Sequence, residues 1–194
     1  KKGRVLVSRG KRAVERDAAK VRAHDREKDY PLARFDASAL LRVLGFTDSL
    51  GAMKPSMHAK YRQVNEFLRI VDATVADLAP AGDAALDLVD VGCGKAYLSF
   101  AAKAYLEATR GAKFRFTGVD IRESVIATCR RMAEALEWTE DVAFVAADIA
   151  GFKATVQPDI VLSLHACDTA TDEALAFGVE SQARAILCAP CCQH

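Results

Sequence analysis

The stretch "LDLVDVGCGKAYLSF" occupies Leu86 to Phe100. It opens on a short apolar run, which reads as a buried strand. Gly92-Cys93-Gly94 then turns the chain, and "KAYLSFAAKAYLEAT" continues with helical periodicity. Strand, glycine turn and helix in that order are the first unit of a parallel α/β sheet. The same rhythm repeats downstream. "FRFTGVD" is strand 2, and "RESVIATCRRMAEALE" is a helix. "VAFVAAD" is strand 3, after which only a short helix fits before Pro158. "DIVLSLH" is strand 4, and "TATDEALAFGV" is a helix capped by Thr169. "ARAILCAP" is strand 5. The expected fold is α/β, a Rossmann-like doubly wound parallel sheet.

Upstream the chain is helical. Tyr61, Val64, Leu68, Val71, Val75 and Leu78 recur at three- and four-residue steps, which predicts one buried stripe on a helix from about Ser56 to Leu78. "ASALLRVLGF" reads as a short amphipathic helix, and "TDSLGAMKPS" as a loop. Residues 10–29 are highly charged, with a thin apolar stripe of Val14, Ala18 and Val21. The division expected is a basic helical extension over 1–55 and a core over 56–194.

The chain has 194 residues and a net charge of +1, half of them hydrophobic. That charge hides a split. Residues 1–70 hold 17 Lys and Arg against 8 Asp and Glu, and residues 71–194 hold 10 against 18. A basic arm on an acidic body attracts polyanions, RNA among them. No apolar run reaches the length of a membrane span, and no signal-peptide pattern opens the chain. Six cysteines scattered among turn, helix and strand read as reduced thiols, so a cytoplasmic setting is expected. The first residue is Lys, which reads as a processed chain or a fragment.

The glycine turn is not a dinucleotide fingerprint, because Tyr97 stands where the third glycine of G-x-G-x-x-G belongs. The spacing before Lys95 is wrong for a P-loop. Acidic residues sharpen the reading. Asp120 ends strand 2, where a carboxylate accepts ribose hydroxyls. Asp148 ends strand 3, in reach of an adenine amino group. Asp90 ends strand 1, where it orders a ligand ammonium. Ammonium, ribose and adenine without phosphate describe S-adenosylmethionine.

"VDVGCGKAYLSF" and "GVDIR" resemble motifs of the class I S-adenosylmethionine-dependent methyltransferases. With "HDREKDYPL", "KYRQVNEFLRIVD", "LHACDTATDEAL" and "APCCQH", the chain resembles a bacterial branch of that class related to eukaryotic methyltransferase-like proteins. The histidine–cysteine and double-cysteine stretches also resemble those of eukaryotic tRNA ribose 2′-O-methyltransferases. The resemblance implies a cofactor held around Asp90, Gly92, Gly94, Lys95, Asp120, Ile121, Asp148 and Ile149. It implies a sheet of seven strands, so a core with five lacks the last two and the chain is expected to continue. It also places the helix of Tyr61 to Leu78 beside the cofactor. Lys60 then meets the cofactor carboxylate or a substrate phosphate, unless it is simply solvated.

"HACD" follows strand 4 and "PCCQH" follows strand 5, so both belong on one rim near the transferable methyl group. Three readings compete for this cluster. Zinc could take Cys191, Cys192, His194 and either His165 or Cys167, but adjacent cysteines are a poor structural zinc pair. Cys191 could attack a pyrimidine as a nucleophile, though the usual D-x-P-C after strand 4 is missing. The favoured reading is a polar acceptor pocket with no metal. There His165, Asp168 or His194 takes the proton, and Cys191 packs at the acceptor. The function expected is methyl transfer to an O or N atom of RNA, tRNA-like in kind. The alternatives are a protein or small-molecule methyltransferase, or a non-catalytic cofactor-binding scaffold.

Overall fold

The structure is a computed structural model that describes residues 29–78, 85–111, 113–164 and 169–189. Five parallel strands form one sheet in the order β3-β2-β1-β4-β5. They are β1 (Leu86–Val91), β2 (Phe114–Asp120), β3 (Val142–Ala146), β4 (Ile160–Leu164) and β5 (Ala185–Ala189). The helices are α1 (Ser38–Val43), α2 (His58–Leu78), α3 (Tyr97–Arg110), α4 (Glu123–Ala135) and α5 (Thr169–Glu180). The order reverses between β1 and β4, which puts a crevice at the carboxyl end of β1.

Buried side chains on one face of the sheet meet α2, α3 and α4. Phe100, Phe116 and Phe144 interlock there, with Phe100 and Phe116 edge to face at 5.3 Å. The opposite face packs Val89, Val91, Val119 and Val161 against Ala174 and Phe177 of α5. The predicted stripe on α2 is present: Val64, Leu68, Val71 and Val75 are buried, with Tyr61 and Leu78 partly so. Asn65 is buried beside them. Its amide donates to Tyr61 O (2.8 Å) and accepts the backbone N–H of Leu32 (2.9 Å). That bond ties the segment before α1 to α2. Leu32, Ala37, Leu40, Leu44 and Phe46 join the same core cluster.

Two local expectations change. No helix forms between β3 and Pro158. Asp148 instead accepts the backbone N–H of Gly151 (2.6 Å), closing a turn, and the chain runs on irregularly to β4. A side chain that offers a local acceptor competes with helix formation in this way. Thr169 is the first residue of α5 rather than its cap. The charged segment 10–28 lies outside the described residues.

Lys103 sits in the buried stripe of α3, three residues from both Phe100 and Leu106, with its side chain 1 % exposed. Its ammonium reaches Glu107 (2.6 Å), Phe114 O (2.7 Å) and Asp141 (3.1 Å), and lies over the Trp138 ring. One cation thus fastens α3 to the starts of β2 and β3. Lys103→Met is expected to cost about 3 kcal/mol, near the low end for breaking a buried pair because both carboxylates reach water. Urea denaturation checks this; a loss under about 1 kcal/mol would show the ammonium to be dispensable.

Candidate functional site

The site is built where β1 ends. Gly92 and Gly94 take positive φ of 70° and 53°, as a reversal this sharp requires. Ala96 follows at φ 50° and is buried, so a non-glycine residue is held in the left-handed region by its packing. Three backbone N–H groups pin the turn: Cys93 N–H donates to Val119 O (2.9 Å), Ala96 N–H to Cys93 O (2.8 Å), and Gly94 N–H to the side-chain Oδ2 of Asp120 (2.9 Å). Beneath it lies Gly118. A Cβ there would stand 2.6 Å from Phe144 and 3.1 Å from Cys93 Sγ, so only glycine lets the turn settle on β2. A lone glycine inside the "FRFTGVD" pattern was the signal for that close approach.

Around the turn is a cleft of about 270 Å³, walled by Asp90, Gly92 to Leu98, Lys60, Arg122 and Leu164. Among the expected residues it gathers Asp90, Gly92, Gly94 and Lys95. Asp120 lies against it through Gly94 and Arg122. Ile121 stands 73 % exposed at the rim, and Asp148 is exposed on the turn after β3. Ile149 is buried in the α5-side core with Val91 and Val119. Lys60 reaches the cleft from α2, with Nζ 5.7 Å from the Tyr97 ring centre. Tyr97 itself packs edge to face on Phe46 at 5.7 Å.

Asp90 is 3 % exposed. Burial pushes its carboxyl up to about 7, helped by the nearby Asp120 charge and opposed by the Ser99 hydroxyl, which donates to Oδ2 at 2.5 Å. Asp120 behaves oppositely. Burial resists its ionisation, but hydrogen bonds from Arg122 and Gly94 outweigh that and hold it below the usual carboxylate range. Two carboxylates one strand apart therefore differ in protonation near neutral pH. Cys93 and Cys129 both lie on Gly94 O, at 3.5 and 3.3 Å. The neighbouring Cys129 thiol and burial push the Cys93 thiol up, so it stays protonated. Cys93, Cys129 and Cys188 are free thiols. Sequence reasoning missed Ser99 and Arg122. The spacing D-x-R in "VDIR" is the only local sign of the second, and nothing in "AYLSF" marks the first.

Leu164 and Ala189 are register partners at the ends of β4 and β5. The residues expected to act on the substrate, His165, Asp168, Cys191 and His194, lie just past them and outside the described residues, as do Cys167 and Cys192. Among the described residues no cluster of His, Cys, Asp and Glu could hold a metal, and no helix is long and apolar enough to cross a membrane.

Residues 59–194 match the family described as "Methyltransferase domain". The chain belongs to that family. Among solved structures, this methyltransferase domain is similar to M. capricolum TrmK in complex with S-adenosylhomocysteine. Identity there is 12 %, the TM-score is 0.46, and the match covers 68 % of this chain and 52 % of the other. A second is a SAM-dependent methyltransferase from Thiobacillus denitrificans, also with S-adenosylhomocysteine. It shows 22 % identity and a TM-score of 0.41, over 57 % of this chain and 42 % of the other. The domain thus spans about half the length or less of these solved chains. No curated protein matches the sequence.

A carboxyl pushed upward by folding binds its proton more tightly in the native state than in the unfolded one. Stability therefore falls as pH rises from about 4 towards 7. Asp90→Asn removes that penalty and keeps an acceptor for Ser99. The variant is expected to gain about 2–3 kcal/mol over the wild type between pH 5 and pH 8, read by urea denaturation. A gain independent of pH would show that Asp90 is ionised at no such cost.

Proposed function

We propose that this domain binds S-adenosylmethionine in the cleft and transfers its methyl group to an oxygen or nitrogen of RNA, tRNA-like in kind. The observation that carries the cofactor reading is the donor set of the cleft. A buried carboxylate, Asp90, faces it without an ion-pair partner among the described residues. A cation, Lys60, lines the same cleft, and a second carboxylate, Asp120, lies where the glycine turn meets β2. An amino acid joined to a ribose needs such an alternation: carboxylate for its ammonium, cation for its carboxylate, carboxylate for its diol. When bound, S-adenosylmethionine supplies a methyl group on a positively charged sulfur.

The residues of the chain do the rest. Asp90 ionises when an ammonium arrives, since a nearby opposite charge favours the charged carboxylate. Ser99 holds that carboxylate in place. The glycine turn lets the ligand approach the backbone, and Lys60 and Lys95 set a positive potential over the mouth. Proton removal from the acceptor falls to the segments after β4 and β5, with His165, Asp168 and His194 as the candidate bases and Cys191 beside them.

The RNA reading is supported by charge and by the rim of α2. No acidic residue stands between Asp48 and Glu66, and Lys54, His58, Lys60 and Arg62 fall in that stretch. His58 and Arg62 line an open groove with Tyr30 and Tyr61, whose rings meet edge to face at 5.5 Å. Cations among aromatic faces are what single-stranded nucleic acid uses. The "LHACDTATD" and "PCCQH" resemblance to tRNA ribose methyltransferases points the same way.

The test follows labelled methyl from S-adenosylmethionine into a cell extract separated into RNA and protein, with Asp90→Ala as the blank. Label in small RNA, absent from the blank, is expected. Label in protein alone would overturn the RNA reading, and tight cofactor binding with no transfer would make the domain a scaffold. If three phosphates are contacted, RNA affinity is expected to fall about twentyfold between 50 and 200 mM salt.

A further inference from the structure

The ribose acceptor expected at the end of β2 is already full. A carboxylate offers about four acceptor positions. On Asp120, Oδ1 accepts the backbone N–H of Arg122 (3.0 Å) and its Nε (2.9 Å). Oδ2 accepts Gly94 N–H (2.9 Å) and Arg122 Nη2 (3.0 Å). Two positions belong to the backbone and build the turn. The other two are taken by one guanidinium in a two-pronged grip, the geometry that suits arginine and not lysine. A diol would need those same two positions.

The two partners differ in freedom. The Asp120 side chain is 5 % exposed and the Arg122 side chain 63 %. Arg122 is therefore the half that moves. It also walls the cleft, with Nη2 lying 3.9 Å from the position a Cβ on Gly94 would take. The neighbouring Glu123 is engaged by Arg130 (2.9 Å), so a rival carboxylate next to Arg122 already has its own arginine.

We propose that Arg122 is an internal competitor for the ribose hydroxyls, closing Asp120 in the free domain and swinging out when a diol arrives. This rests on the cofactor reading above and adds to it a residue that sets affinity and specificity. Only a ligand that presents paired hydroxyls, and gains elsewhere in the cleft, displaces a bidentate fork. The grip lowers apparent affinity by the fraction of time it is open. An exposed arginine is screened by salt, so the grip loosens as ionic strength rises.

The experiment is calorimetric titration of S-adenosylhomocysteine into the wild type, Arg122→Gln and Arg122→Lys. If the grip is closed about four-fifths of the time, Arg122→Gln binds about fivefold tighter at low salt. Arg122→Lys, which keeps the charge without the fork, falls between. The gain shrinks towards one at about 1 M salt, where screening acts within a few ångströms. In an Asp120→Asn background the arginine substitution changes nothing, which shows that it acts through Asp120. Weaker or unchanged binding by Arg122→Gln, with the wild type still binding, would overturn the competitor and leave the cofactor reading standing. Failure of every form to bind S-adenosylhomocysteine would remove both.

Discussion

A carboxylate buried at the end of a strand without a cation beside it is a cost that folding alone does not require. Among the described residues, Asp90 is such a group. It lies at the wall of the cleft beside the glycine turn, is supported by one hydroxyl, and is pushed up to about 7 by burial. Much of the surrounding structure has the effect of keeping it there. Gly118 lets the turn sit down on β2, the turn covers β1, and α3 brings Ser99 back to the carboxylate. Lys103 anchors α3 at the other end of the sheet. On the function proposed above, a charge-averse carboxylate at the wall of a cleft is arranged for a cation from outside.

The neighbouring acid shows how two groups of one type come to differ. Asp120 is satisfied by two backbone N–H groups and a guanidinium, and its proton is lost early. Among the described residues Asp90 has a single neutral donor, the Ser99 hydroxyl. The contrast arises from burial and from partners: Asp90 lies two residues deeper in the register and meets a neutral hydroxyl, whereas Asp120 meets backbone N–H groups and a guanidinium. The turn after β1 is held to the end of β2 by Gly94 N–H, which donates to Asp120.

The strands were legible because each is an apolar run bounded by a charged or glycine signal, as in "LDLVDVG" and "FRFTGVD". Strands covered on both faces read as mostly apolar runs, and β2 departs from this near its start, where Arg115 reaches solvent. The stripe on α2 was legible for the same kind of reason. Lys103 was not, because a lysine in a helix reads as solvated until Glu107, Asp141 and Phe114 O are seen to converge on it. Arg122 was hidden by its nearness in sequence: two residues after Asp120, it looks like the polar start of a helix. The turn at Asp148 replaced an expected short helix because the side chain satisfies Gly151 N–H itself. The glycine turn and the acids at the strand ends were thus readable from the sequence, and the pairing among them was not.

The central claim is that Asp90 waits for a cation. It is tested most directly by titrating S-adenosylhomocysteine into the domain at pH 6.5 in buffers of different ionisation enthalpy. Binding that needs ionised Asp90 releases roughly three-quarters of a proton at that pH, and Asp90→Asn abolishes the release. Binding with no proton released, or the same release from Asp90→Asn, would contradict the account.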